Sequence, residues 1–91
     1  MFLAIDIGNT NITLGVYDRG RLTATWRLAT VHDRMADEYG ITLLQLMTHR
    51  GISAGEISGA AIASVVPALT GVFRRVCADY VNQEALVVDP G

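Results

Sequence analysis

Apolar and polar residues change their period along this chain, and each period predicts a different element. Residues 2–7 are apolar except for Asp6. Such a run predicts a short strand buried on both faces. Gly8-Asn9-Thr10-Asn11 is a cluster of turn formers. Alternation then sets in. Over residues 12–17, Ile12, Leu14 and Val16 share one face, and Thr13, Gly15 and Tyr17 share the other. Over residues 22–28, Leu22, Ala24, Trp26 and Leu28 point inward, and Thr23, Thr25 and Arg27 point outward. A period of two predicts half-buried strands, and Asp18-Arg19-Gly20-Arg21 predicts the tight turn between them. Residues 1–28 thus read as an antiparallel three-stranded meander.

From Ala36 the period lengthens. Ala36, Tyr39, Leu43, Leu46 and Met47 recur at helical spacing between Arg34 and Arg50. Asp33 is the expected N-cap and Gly51 the expected stop, while Gly40 weakens the middle by about 1 kcal/mol relative to alanine. Residues 51–59 predict a loop or a single helical turn, with Ser53 and Glu56 spaced for a capping box. Residues 60–66 are small and β-branched, as in a buried parallel strand. Pro67 suits the first position of a second helix, whose apolar stripe is Val72, Phe73, Val76 and Tyr80. Residues 85–88 predict a last strand, and Asp89-Pro90-Gly91 a turn. The order is β-β-β-α-β-α-β, an α/β fold.

Composition narrows the class. Ninety-one residues suffice for one small domain, and 51% apolar content with two prolines excludes a disordered tail. A net charge of −2 lacks the basic footprint of a nucleic-acid binder, so none is expected as a partner. No apolar run reaches the ~20 residues that span a bilayer, and no secretory leader is evident. The single cysteine, Cys77, suits a reducing compartment. A soluble, cytoplasmic protein with no membrane partner is the expectation.

The chemistry is concentrated in Asp6-Ile7-Gly8-Asn9-Thr10-Asn11-Ile12-Thr13. An acid inside a buried strand needs a partner, and a hydrated divalent cation is one. Gly8 permits a sharp turn and leaves room for an incoming group. Successive amides in a tight turn form a concave anion site, and Asn9, Thr10, Asn11 and Thr13 add uncharged donors. An acid for the metal beside donors for phosphate suits ATP·Mg²⁺, with Asp6 holding the metal through water. The same residues also read as ordinary hairpin chemistry, since Asn and Gly tolerate positive φ. No P-loop or Gly-x-Gly-x-x-Gly pattern is present.

Asp6-Ile7-Gly8-Asn9-Thr10-Asn11, followed by Gly15, resembles the first phosphate motif of type III pantothenate kinases. That family belongs to the acetate kinase, sugar kinase, heat-shock chaperone and actin superfamily. Trp26-Arg27-Leu28-Ala29-Thr30 with Ala36-Asp37-Glu38, and Ala63-Ser64-Val65-Val66-Pro67, resemble two further family segments in the same order. The resemblance implies a ribonuclease H-like (actin-like ATPase) half-domain, with residues 1–91 as the N-terminal part of the first of two domains. It implies ATP-dependent phosphorylation of pantothenate, the first step of coenzyme A synthesis. ATP would be bound by Asp6, Gly8, Asn9, Thr10, Asn11 and Thr13. Magnesium, a monovalent cation (K⁺ or NH₄⁺) and a homodimer are implied as well. The family's Gly-Ala-Asp-Arg segment, which carries the general base and pantothenate contacts, has no match in these residues, so no catalytic residue is assigned. The chain alone is expected to be inactive, and weakly stable or prone to associate.

Other residues read more plainly. Arg27 suits a solvated strand face or a phosphate contact. Ser64 suits packing or capping at a helix start, or an anion. His32 and His49 lack a companion ligand set. Cys77 reads as a small core residue, Arg74-Arg75 as a wet helix face, and Trp26 and Tyr80 as core or interface anchors. Two alternatives stand beside the kinase: a non-catalytic accessory regulator of transcription similar to the same family, and another phosphotransferase of the superfamily.

Overall fold

The alternation of the first strands becomes one antiparallel ladder: β1 (Phe2–Ile7), β2 (Asn11–Asp18) and β3 (Arg21–Ala29). Then follow α1 (Ala36–His49), a 3₁₀ turn (Ala54–Glu56), β4 (Gly59–Ser64), α2 (Pro67–Tyr80) and β5 (Leu86–Val88). The computed structural model describes residues 1–88, and the turn expected at Asp89-Pro90-Gly91 lies outside the described residues. The sheet order is β3-β2-β1-β4-β5. β4 runs parallel to β1 and β5 parallel to β4; α1 lies in the connection from β3 to β4, and α2 makes the crossover from β4 to β5. No helix among the described residues is long and apolar enough to cross a membrane.

Register places Leu3, Ile5 and Ile7 beside Val16, Leu14 and Ile12, with Ala60 and Ile62 on the same face. All eight are buried, together with Tyr39, Leu43 and Met47 of α1 and Leu69, Phe73, Val76 and Cys77 of α2. They form one core, in which the Tyr39 and Phe73 rings meet at 4.7 Å and 45°. The helices therefore share one side of the sheet. This corrects the expectation that β1 and β4 are buried on both faces: Asp6 is exposed and Phe2 is 42% exposed, while Ala61 and Ala63 are half-buried. Residues 2–7 are apolar but for Asp6, yet only alternate members are fully covered.

Three local corrections have physical causes. Leu22 is exposed rather than inward, because the β2–β3 register shifts at Val16/Tyr17. Val16 pairs with Ala24 and Tyr17 with Leu22, so Thr23 is the extra residue of a bulge, its hydroxyl donating to the Val16 carbonyl at 3.0 Å. The N-cap of α1 is Met35, not Asp33: the Met35 N–H donates to Glu38 Oε1 at 2.9 Å. β4 ends at Ser64, because Val66 is the N-cap of α2, ahead of Pro67 at N1. The expected stop of α1 is realised, with Gly51 N–H donating to Thr48 O and Ile52 N–H to Met47 O. So is the Ser53–Glu56 box, with Ser53 N–H donating to Glu56 Oε1 at 3.0 Å.

Gly40 is not merely a weak helix residue. The Tyr80 ring lies over it, and a Cβ there would sit 2.8 Å from Tyr80 Cγ and closer to the ring edge. The ring is held in place by its hydroxyl, which donates to Asp37 Oδ1 at 2.6 Å. Gly40→Ala should lower stability by about 1–2 kcal/mol, overpacking outweighing the helix-propensity gain of about 1 kcal/mol. In a Tyr80→Ala background the same change should stabilise. Urea unfolding of the four proteins reads both signs, and an equal effect in both backgrounds contradicts the contact.

Cys77 is buried in the core, and burial pushes its thiol up to about 11 from an ordinary 9.0. The neutral thiol is the form the fold accepts. Stability from this group is complete below pH 9 and is lost as the pH rises through about 11, because the unfolded chain ionises first. At pH 8 the folded protein should resist alkylation by iodoacetamide and react once unfolded in urea. Rapid labelling of the folded protein would contradict this burial.

Candidate functional site

The ladder of β1 and β2 runs to Ile7↔Ile12, and the Gly8 N–H donates to the Asn11 carbonyl at 2.9 Å, closing the tip. No residue from Gly8 to Asn11 has positive φ. These turn formers are thus not present to supply a left-handed backbone. Gly8 supplies room instead, since a Cβ there would lie 3.0 Å from the Asn11 carbonyl oxygen.

The six predicted site residues lie in this single hairpin, Gly8 at the start of its tip and the other five in two groups. Asp6 and Thr13 are cross-strand partners on the face that the helices leave open, and Asn9, Thr10 and Asn11 are exposed around the tip. Register extends the Asp6–Thr13 pair into a row, with Ala63 of β4 on one side and Arg27 of β3 on the other. Beside it lies a trough of about 400 Å³ whose lining includes the small residues Ala4, Gly15, Ala61 and Ala63. Arg27 is exposed and makes no ion pair among the described residues.

Asp6 is exposed, so the argument that a buried acid demands a partner does not apply. A different observation does. Among the described residues, the side chains of Asp6, Asn9, Thr10, Asn11 and Thr13 make no hydrogen bond to protein, and the Asn9 and Thr10 amides donate to no backbone carbonyl. Turn residues that only shape a hairpin spend their side chains on nearby backbone. These are directed to solvent. One carboxylate surrounded by uncharged donors can neutralise part of a hydrated cation and hydrogen-bond an anion. No cluster of three metal-ligating side chains occurs among the described residues. One carboxylate with uncharged donors around it would suit a magnesium ion that arrives with phosphate and keeps its waters.

Ser64 is spent on its own turn: its hydroxyl donates to Val66 O and accepts from Val66 N–H, both at 3.0 Å. That junction docks beside the hairpin, since Val65 N–H donates to Ile7 O at 3.0 Å. His32 is exposed in the turn between β3 and α1 and His49 is exposed at the last residue of α1, while Arg74 and Arg75 lie on the wet face of α2.

The sequence reading passed over Thr30 as a site residue. Its hydroxyl donates to the Gly8 carbonyl at 2.8 Å and its N–H to the Thr10 carbonyl at 3.0 Å, on either side of Asn9. Its place directly after β3 was the available signal, but a contact 22 residues away leaves no periodic trace.

A family model described as type III pantothenate kinase matches residues 2–91. A type III pantothenate kinase of Roseiflexus sp. (strain RS-1) is 53% identical over 89 residues, covering 98% of this chain and 35% of that protein. Those of Anaeromyxobacter sp. (strain K) and Bacillus cytotoxicus are 47% and 42% identical over 91 residues, covering the whole chain and 36% and 35% of theirs. The chain thus spans about a third of the length of these relatives. Among solved structures, a ROK hexokinase from Thermus thermophilus superposes with a TM-score of 0.68 at 17% identity, over 97% of this chain and 34% of that one. A Bacteroides thetaiotaomicron protein with an actin-like ATPase fold gives 0.61 at 8% identity, over 96% and 32%. Thermus thermophilus RuvC gives 0.63 at 18%, over 98% and 61%. At such identities these superpositions establish the fold, which is the ribonuclease H-like arrangement of actin-like ATPases and sugar kinases.

Proposed function

The chain belongs to the type III pantothenate kinase family, and from that premise we propose that it is the N-terminal part of the first domain of a kinase that phosphorylates pantothenate with ATP. The observation that carries this reading is the hairpin whose polar side chains and tip amides are unspent within the protein.

In the proposed reaction the pantothenate hydroxyl oxygen attacks the γ-phosphorus. The bond from that phosphorus to the β–γ bridging oxygen breaks, and ADP leaves. The hydroxyl proton passes to a base outside these residues, and the product is 4'-phosphopantothenate. Phosphoryl transfer depends on positioning and on neutralising charge. The Asn9 and Thr10 amides donate to phosphate oxygens, with the side chains of Asn9, Thr10, Asn11 and Thr13 beside them. Gly8 keeps the tip narrow enough for the phosphates to approach. Asp6 would hold the magnesium ion through water. When bound, magnesium spreads the negative charge of the triphosphate. The monovalent cation, the homodimer and a cytoplasmic location belong to the same proposal.

The test uses the longer protein that carries this segment. ADP release coupled to pantothenate, with phosphorus NMR of the product, should show transfer to the pantothenate hydroxyl. ATP binding without turnover would sink the kinase reading and favour the accessory regulator. Turnover of another acceptor but not pantothenate would favour another phosphotransferase.

A further inference from the structure

We propose that Thr30 is a positioning residue for the phosphate hairpin, anchored to the core by Tyr39; this rests on the function proposed above. The hairpin tip is exposed, and its internal tie is the Gly8 N–H to Asn11 carbonyl bond. A solvent-facing tip so lightly held opens easily. Thr30 holds it from outside at two points, with its hydroxyl on the Gly8 carbonyl and its N–H on the Thr10 carbonyl. The Gly8 carbonyl shares its peptide with the Asn9 N–H, so that amide is aimed directly, and holding the Thr10–Asn11 peptide on the far side limits the rotation of the one between them, which carries the Thr10 N–H; these are the donors a phosphate would meet. A threonine suits the task, because its β-branch restricts χ1 and keeps the hydroxyl aimed.

Thr30 is itself tied down through the next residue. Val31 N–H donates to Tyr39 Oη at 3.0 Å, and Tyr39 Oη donates to the Val31 carbonyl at 2.9 Å. The hydroxyl thus serves as donor and acceptor to one residue, and the N–H it accepts from belongs to the Thr30–Val31 peptide. Tyr39 is fully buried and its ring packs on Phe73. A continuous path therefore runs from the centre of the helix pair to the hairpin tip. A buried tyrosine hydroxyl needs a partner, and this one finds it in the residue next to Thr30, while a strand-end threonine capping itself would not reach the β1–β2 hairpin.

The experiment compares Thr30→Val, Thr30→Ser and Tyr39→Phe in the longer protein. Valine keeps the shape and the backbone N–H and removes only the hydroxyl. Thr30→Val should raise KM for ATP about tenfold, as loss of one hydrogen bond of ordinary strength would. KM for pantothenate should stay within about twofold, and Thr30→Ser should restore the ATP value. Tyr39→Phe should act in the same direction. A second readout needs no turnover: without nucleotide, amide hydrogen exchange at Asn9 and Thr10 should quicken in Thr30→Val and return in Thr30→Ser. Unchanged exchange and an unchanged KM for ATP would overturn the assignment. Equal rises in both KM values, or no rescue by serine, would reduce Thr30 to a structural residue and overturn it too. A parent protein that turns over no ATP defeats the kinase reading, and the exchange comparison still decides whether Thr30 holds the tip.

Discussion

Asp6→Asn should lower kcat for pantothenate phosphorylation in the longer protein by about two to three orders of magnitude, the range seen when one aligned electrostatic group is removed from a transition state. The substitution preserves shape and removes charge. Asp6 is exposed and its side chain makes no hydrogen bond or ion pair among the described residues, so the fold loses no side-chain contact there. Stability should stay within about 0.5 kcal/mol of the parent, as for a surface change away from any cap or core contact. Separating activity from stability is the diagnostic feature. KM for ATP·Mg²⁺ should rise with the loss of kcat, and added magnesium should recover part of the activity, because the amide still accepts from metal-bound water but carries no charge. Thr13→Val, across the ladder from Asp6, should have a smaller effect. Full activity in Asp6→Asn would remove the metal from this hairpin.

Phe73→Ala should unfold the isolated 91-residue chain at room temperature. Truncating a buried phenylalanine costs about 3–5 kcal/mol through lost burial and the cavity left behind. A domain of this length has about 5 kcal/mol of stability at the lower end of the usual range. Phe73 is 1% exposed and meets the Tyr39 ring at 4.7 Å, so the change also removes an aromatic pair that contributes about 0.5–1.5 kcal/mol. Near-UV circular dichroism should lose its cooperative transition. Phe73→Leu, which keeps most of the volume, should still melt cooperatively. Partial loss of Tyr39 support should also quicken amide exchange at the hairpin tip in Phe73→Leu. A cooperative melt of Phe73→Ala within a few degrees of the parent would show that the helix pair tolerates the cavity.

Much of this fold is legible in the sequence, for local reasons. The alternation of residues 12–17 predicted the faces of β2, since one strand's pleat sets them. Pro67 and Gly51 marked a helix start and stop, because each acts through its own backbone. The six hairpin residues were legible as a cluster, since a turn brings sequence neighbours together in space. The errors share the opposite character. Asp33 lost the N-cap to Met35, whose partner Glu38 lies within the helix. Leu22 turned outward because one extra residue, Thr23, entered the ladder, and a slip of one residue reverses the face of everything beyond it.

By itself, then, the sequence determined the order of elements, the covered face of β2 and the clustering of polar side chains at the β1–β2 hairpin, all of them matters of period and spacing along a few residues. Only the tertiary structure decided that Asp6 faces solvent, that Gly40 is the floor for Tyr80, and that Thr30 reaches 22 residues back to Gly8. Those outcomes depend on which side of the sheet the helices cover and on how closely two backbones approach. Packing across the whole chain sets both, and no local pattern of apolar and polar residues records them.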